Sequence, residues 1–166
     1  MFEIRKAVPD DALGITIVNV YTWKTTYSVL MPENVIDARI AELRDRAEKC
    51  RADIVRNGNF FVAAEGSTIV GFCRYGGSRN DAYKDSGEIN AIYVLRGFQG
   101  MGAGRALFSA GIEGLRAEGY ASLILNCLRG NPALDFYRHM GGKVVAARCD
   151  EIQGTEITED ILYFEI

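Results

Sequence analysis

Histidine is nearly absent: His139 is the only one in 166 residues. A Ser-His-Asp triad or a multi-histidine metal centre would rest on that single side chain, which argues against both. Cysteine is scarce too. Cys50, Cys73, Cys127 and Cys149 lie far apart, with no CxxC pair and no Cys-His spacing suited to zinc. Each has apolar neighbours in sequence, so they read as buried free thiols, and no metal is expected. No apolar run approaches the roughly 18 residues of a membrane span. The opening Met1-Phe2-Glu3-Ile4-Arg5-Lys6 lacks the charged-then-apolar layout of a signal peptide. Positive charge is not in surplus, with 19 Lys and Arg against 22 Asp and Glu and a net charge of −3. That balance argues against non-specific nucleic-acid binding and a basic membrane-surface role. The expectation is a cytoplasmic protein with neither a nucleic-acid nor a membrane partner.

What is present suffices for one core. The chain is 48% hydrophobic and 25% charged, and its length predicts a single domain over 1–166. Phe2 to Val8 alternates apolar and polar residues and reads as a strand, stopped by Pro9-Asp10-Asp11. Leu13, Ile17, Val20 and Tyr21 mark one face of a helix, and Trp23 to Met31 its end and a loop. Pro32 opens a second helical region with Val35, Ile36, Ile40, Leu43 and Ala47 inward and a mixed-charge face outward. Strands at Phe60–Ala64 and Ile69–Cys73 flank a turn at Gly66-Ser67-Thr68. A polar loop (Gly76 to Gly87), a strand (Glu88 to Leu95), a glycine-rich loop and a helix to about Glu118 follow. Then come a strand (Ala121 to Leu128), a short helix (Ala133 to Met140) and two strands near Lys143–Cys149 and Asp160–Ile166. The segment Glu88 to Leu128 is a strand-helix-strand unit, which predicts a parallel pair with a right-handed crossover. The hairpin makes the sheet mixed. The class is α/β.

The loop Gln99-Gly100-Met101-Gly102-Ala103-Gly104-Arg105 sits where a strand feeds a helix. Alternating glycines let backbone approach a ligand and adopt positive φ. The first N–H groups of the helix lack internal partners and lie at its positive end, which makes an anion site suited to phosphate or pyrophosphate. Arg105, and in second place Arg96, could add charge. No Lys-Ser/Thr follows Gly104, against a Walker loop. The spacing is GxGxG and not GxGxxG, against a dinucleotide fold. Packing of helix on strand is the plainer alternative for the glycines.

These residues resemble the GNAT superfamily of acetyl-CoA-dependent N-acetyltransferases. Its signature, Arg/Gln-x-x-Gly-x-Gly/Ala, is matched by Gln99-Gly100-Met101-Gly102-Ala103-Gly104. A second element, from Asn131-Pro132-Ala133 through Phe136-Tyr137 to Gly141-Gly142, is similar to the family's Asn, aromatic-Tyr and closing Gly segment. The resemblance is sharp over 88–142. It implies a mixed, mostly antiparallel sheet whose one parallel pair splays around acetyl-CoA, with flanking helices. By the same resemblance the pyrophosphate rests on Gln99 to Arg105. The pantetheine arm runs beside Ile92, Tyr93 and Val94, and Asn131 reaches the pantetheine or acetyl end. Read from its own neighbours, Asn131 could equally be an ordinary helix cap.

Acetylating an amine poses two proton problems. An amine of pKa near 10.4 is neutral in roughly one molecule in 2,500 at pH 7, so its proton must be taken, and the leaving thiolate must be supported. The resemblance puts Tyr137 beside the sulfur. A phenol of pKa about 10 against a thiol of about 8.5 makes full transfer uphill by about 2 kcal/mol, but hydrogen-bond donation still helps. It also suggests Glu88 as base, acting through water or with a burial-raised pKa. Period-two counting puts Glu88, Asn90, Ile92 and Val94 on one face of the strand. Core tyrosine and solvent-facing glutamate are the plainer alternatives. Trp23, Tyr27 and Tyr83, with Asp81 and Asp85, fall where the superfamily shapes its acceptor pocket. Acids there would favour a cationic small-molecule amine. Acetylation of a protein N-terminus or lysine, and a non-catalytic coenzyme-A-binding module, are the alternatives. Relatives often form homodimers through the sheet or its last strands.

Overall fold

Two alternating stretches fold back on each other at Gly66-Ser67, and the sheet grows from that hairpin. In the computed structural model, which describes residues 2–166, β2 (Phe60–Glu65) and β3 (Thr68–Gly77) pair antiparallel. Gly66 makes the turn at φ +60°. β1 (Glu3–Lys6) extends the sheet beyond β2, and β4 (Gly87–Val94) pairs antiparallel with the far side of β3. α4 (Ala103–Ala117) carries the chain back so that β5 (Ser122–Leu128) runs parallel to β4. α5 (Ala133–His139) leads into β6 (Lys143–Ile152) and β7 (Thr155–Glu165), giving the order β1-β2-β3-β4-β5-β7-β6. This is the mixed, mostly antiparallel α/β sheet expected, with one parallel pair.

Helices α1 (Ala12–Thr26), α2 (Glu33–Ala41) and α3 (Leu43–Asn57) precede the hairpin. Leu107, Phe108 and Leu115 of α4 pack with Cys73, Ile89 and Val94 on one face of the sheet. Ile15 and Val18 of α1 and Ile54 of α3 pack with Val62 and Phe72 on the other. No helix among the described residues is long and apolar enough to cross a membrane.

Several expectations are corrected. Of the face assigned to the first helix only Val20 is buried, while Leu13, Ile17 and Tyr21 are exposed. The buried side is Ala12, Ile15, Val18, Thr22 and Trp23, because α1 is apolar nearly all round and its pattern does not single out one face. The second helical region divides at Glu42, and Ile40 faces solvent. Cys149 is exposed and Cys50 half-buried, so only Cys73 and Cys127 fit the buried-thiol reading. The last two strands are longer than expected. They meet at Gln153-Gly154, both at positive φ, the two-residue geometry that suits a hairpin.

Candidate active site

The parallel pairing of β4 and β5 lasts for two residue pairs, Gly87↔Leu123 and Glu88↔Ile124. Immediately beyond, β4 carries a bulge. Arg74 pairs with Ala91 and Tyr75 with Ile89, so Asn90 is the extra residue. A bulge bends its strand and interrupts the ladder, and here the two strands part. It also shifts the alternation by one. Ile89, Ile92 and Val94 pack toward α4, whereas Ala91 and Tyr93 pack toward α1. Glu88, next to Ile89 and opposite Gly76, therefore shares the α1 face with Tyr93 and not the face of Ile92 and Val94. The period-two count fails at Asn90.

Between the parted strands lies a cavity of about 540 Å³. Ile92, Tyr93 and Val94 form one wall, Leu125 to Cys127 the other, and Gln99, Gly100, Gly102, Gly104 and Arg105 one end. Gly100 (φ +76°) and Gly102 (φ +92°) turn the loop, and a Cβ on either would meet nothing within 4 Å, so the cradle is open. Gln99 Nε2 donates to the Val94 carbonyl at 2.9 Å, pinning loop to strand end. The first helical bond of α4 runs from Ala106 N to the Gly102 carbonyl at 3.1 Å. The preceding N–H groups of Ala103, Gly104 and Arg105 therefore have no intrahelical acceptor. This donor set fits a phosphate. Two expected members lie off the wall: Met101 points to solvent and Ala103 is buried under the loop. Arg96 does not line the cavity either.

Tyr137 reaches the same cavity from α5, its ring 5.4 Å from Phe136 and 6.3 Å from Phe108. Its hydroxyl makes no hydrogen bond to a described residue. Burial first, then the neighbouring Cys127, Tyr93 and Cys73, raise its pKa, so it holds its proton. Asn131 is the helix cap that its own neighbours suggested, and it also lines the cavity. Its Oδ1 accepts from Ala133 N at 2.9 Å, capping α5, and its Nδ2 donates to Tyr27 Oη at 3.0 Å across the cavity mouth. Thr22 Oγ1 and Asn126 Oδ1, on two more lining residues, are buried without a partner among the described residues. Such atoms are costly unless a ligand or water satisfies them.

A second cavity of about 250 Å³ opens on the α1 side of the sheet. Tyr27, Ile89, Asn90, Tyr93 and Asn126 line both cavities, so they meet at the bulge. Trp23 and Tyr27, ring centroids 4.6 Å apart, form its aromatic wall, with the Arg39 guanidinium 3.4 Å above the Trp23 ring. Glu88 lies in this second cavity, 2% exposed. It is not the solvent-facing residue of the plainer reading, nor is its pKa raised. Burial pushes the carboxyl up, but hydrogen bonds and charge from Arg79, with help from Asn90, outweigh it and hold the pKa below its usual value. Arg79 Nη2 and Nε donate to Oε1 at 2.5 and 3.2 Å, and Arg79 N to Oε2 at 2.8 Å.

Tyr83 lines neither cavity, and neither do Asp81 and Asp85. Asp81 and Tyr83 sit on a 3-10 turn of the 78–86 loop and Asp85 just after it; the loop's contribution to the site is Arg79. Arg79, Arg148 and Asn126 escaped sequence reasoning, since nothing in their neighbours marks them. Asn90 carried a weak signal: an amide between apolar residues in a strand, where bulges often lie.

The GNAT acetyltransferase family model matches residues 22–141. The chain is 30% identical over 159 residues to the "Uncharacterized N-acetyltransferase YuaI" of Bacillus subtilis (strain 168), covering 96% of this chain and 90% of that one. Its fold is similar to that of the PaiA N-acetyltransferase from Thermoplasma acidophilum, solved in complex with coenzyme A. The TM-score is 0.75 at 20% identity, over 100% of this chain and 99% of that one. It is also similar to a ribosomal-protein-alanine N-acetyltransferase from Brucella melitensis, with a TM-score of 0.71 at 20% identity over 99% of each chain. Glycine loop, parted strands and family match agree: the chain belongs to the GNAT family and is an acetyl-CoA-dependent N-acetyltransferase.

Proposed function

We propose that this enzyme acetylates a small primary amine, with acetyl-CoA in the larger cavity and the acceptor in the smaller one. The observation that carries this is the shared wall at Asn90 and Asn126, where an amine in one cavity faces an acetyl group in the other. The smaller cavity is below the roughly 300 Å³ at which drug-sized pockets begin, which favours a small acceptor over a peptide. Its charged lining is Glu88, Asp150 and Glu159 against Arg79 and Arg148, and with the rings of Tyr27 and Tyr93 it suits an ammonium. Arg148 spends its Nε and Nη2 on Glu159 and Asp150, both at 2.8 Å, so the rim is ordered.

On this reading the loop from Gln99 to Arg105 holds the pyrophosphate, the β4 edge at Ile92 to Val94 holds the pantetheine, and Asn131 closes over the acetyl end. Acetyl-CoA supplies the acetyl group as an activated thioester. Glu88 takes the proton of the ammonium. Both of its oxygens are engaged by Arg79, so the entering cation displaces that guanidinium, whose side chain is 68% exposed and free to swing away, or a water relays the proton. Tyr137 donates its hydroxyl hydrogen bond to the sulfur as the carbon–nitrogen bond forms and the carbon–sulfur bond breaks. The second proton of the nitrogen ends on the departing thiolate, so that coenzyme A leaves as its thiol. With its pKa raised Tyr137 gives little of the proton itself, and its contribution is electrostatic.

Titrating the free thiol released from acetyl-CoA over a panel of small amines and peptides tests the assignment. Turnover with small amines supports it. Turnover with peptides alone would favour a protein N-terminus or lysine; the Brucella melitensis neighbour is itself named for ribosomal-protein alanine. Acetyl-CoA binding with no turnover on either would mark a binding module. The cradle has its own test. In Gly102→Val a branched side chain must sit at φ +92° and fill the open space above the loop. Calorimetry should find acetyl-CoA bound more than tenfold more weakly by a folded protein.

A further inference from the structure

Three apolar residues of the face assigned to the first helix are left exposed, and they form one line along α1. Leu13 is 52% exposed, Ile17 36% and Tyr21 57%. Steps of four keep them on one helical face, and that face turns away from α3 and the sheet. Each end of the line carries a charge. Asp10, just before the helix, has a side chain 91% exposed and shared with Arg51 at 3.1 Å. Lys24, in the last turn, is exposed and has no ion-pair partner among the described residues.

The spacing is symmetric about Ile17. Leu13 and Tyr21 lie four residues to either side, and Asp10 and Lys24 seven residues to either side. A line of apolar residues evenly spaced about its centre, with opposite charges at its two ends, is self-complementary under a two-fold axis. We propose that α1 pairs antiparallel with α1 of a second copy, with the axis passing at Ile17. Each Ile17 meets its own copy, each Leu13 meets the partner's Tyr21, and each Asp10 meets the partner's Lys24. Antiparallel packing also sets the positive end of one helix beside the negative end of the other. The occupant is a second copy because both halves of the charge pattern are supplied by one chain. A single helix pair buries less than a standard interface, so the dimer is reversible on dilution.

Sedimentation over a range of concentrations, with cysteine cross-linking, decides it. In a Cys149→Ser background, which removes the exposed native thiol, Ile17→Cys should link two copies on mild oxidation. Ile17→Asp should weaken association at least tenfold while thiol release per subunit stays at the wild-type rate. Tyr21→Lys, at a more exposed position, should do the same and guards against misfolding of the first variant. A wild-type protein that is monomeric at every concentration would overturn the proposal. So would a dimer that neither variant weakens, such as one joined along the sheet edge at β6.

Discussion

On the proposed mechanism Tyr137→Phe should lower kcat by about 10²-fold and leave acetyl-CoA affinity within twofold of wild type, because a hydrogen bond to the sulfur would strengthen only as charge builds there. Steady-state kinetics paired with calorimetry check it. The ring remains, so the packing against Phe108 and Phe136 is retained. The hydroxyl has no partner among the described residues, so its removal strands no buried donor or acceptor. This position is therefore a clean test of a donor role. An unchanged kcat would return Tyr137 to the core.

Glu88→Gln keeps size and removes basicity, and the rate at pH 7 should fall by roughly 10- to 10³-fold. The deficit should narrow as pH rises toward the pKa of the amine, where neutral nucleophile no longer has to be made. A pH–rate profile parallel to wild type would rule out the base role. A small uniform loss would instead fit Glu88 holding a cationic acceptor by charge. Arg79 supplies a second handle with a defined sign. Its guanidinium holds the Glu88 carboxyl below its ordinary value against the upward push of burial. Arg79→Gln weakens that hold and lets burial act. The acidic limb of kcat/KM, which reports protonation of the base, should then move to higher pH. A limb that stays in place would mean that the titrating group is not Glu88.

The glycine loop was legible because its chemistry is local: three glycines, a strand before and a helix after, whatever the rest of the chain does. The segment from Asn131 to Tyr137 was legible for the same reason. The face of Glu88 was not, because one unpaired residue at Asn90 inverts the alternation, and a bulge leaves no reliable mark in composition. The face of α1 failed differently. Leu13, Ile15, Ile17, Val18, Val20 and Tyr21 surround the helix, so only its packing on β3 and α3 chooses between them. Tyr83 was assigned through the loop that carries it, yet that loop delivers Arg79 to the site and holds Tyr83 away. The outer halves of β6 and β7 escaped because β6 is exposed on both faces, and a strand without a buried side shows no hydrophobic period.

The sheet is continuous in its strand order but not in its stiffness. Five of its six seams carry four to nine residue pairs, while the sixth, between β4 and β5, is held by two at one end. Mechanically it is two blades, β1 to β4 and β5-β7-β6, pivoted at Glu88 and Ile124 with α4 as the strap between them. Backbone groups along the open flanks of the blades have no strand opposite them, so they exchange hydrogen readily in the free protein. Anything lodged between the blades sets their opening angle. Because Glu88 stands at the pivot, a small rotation there changes the distance from carboxylate to cleft less than it changes anything farther out along the blades.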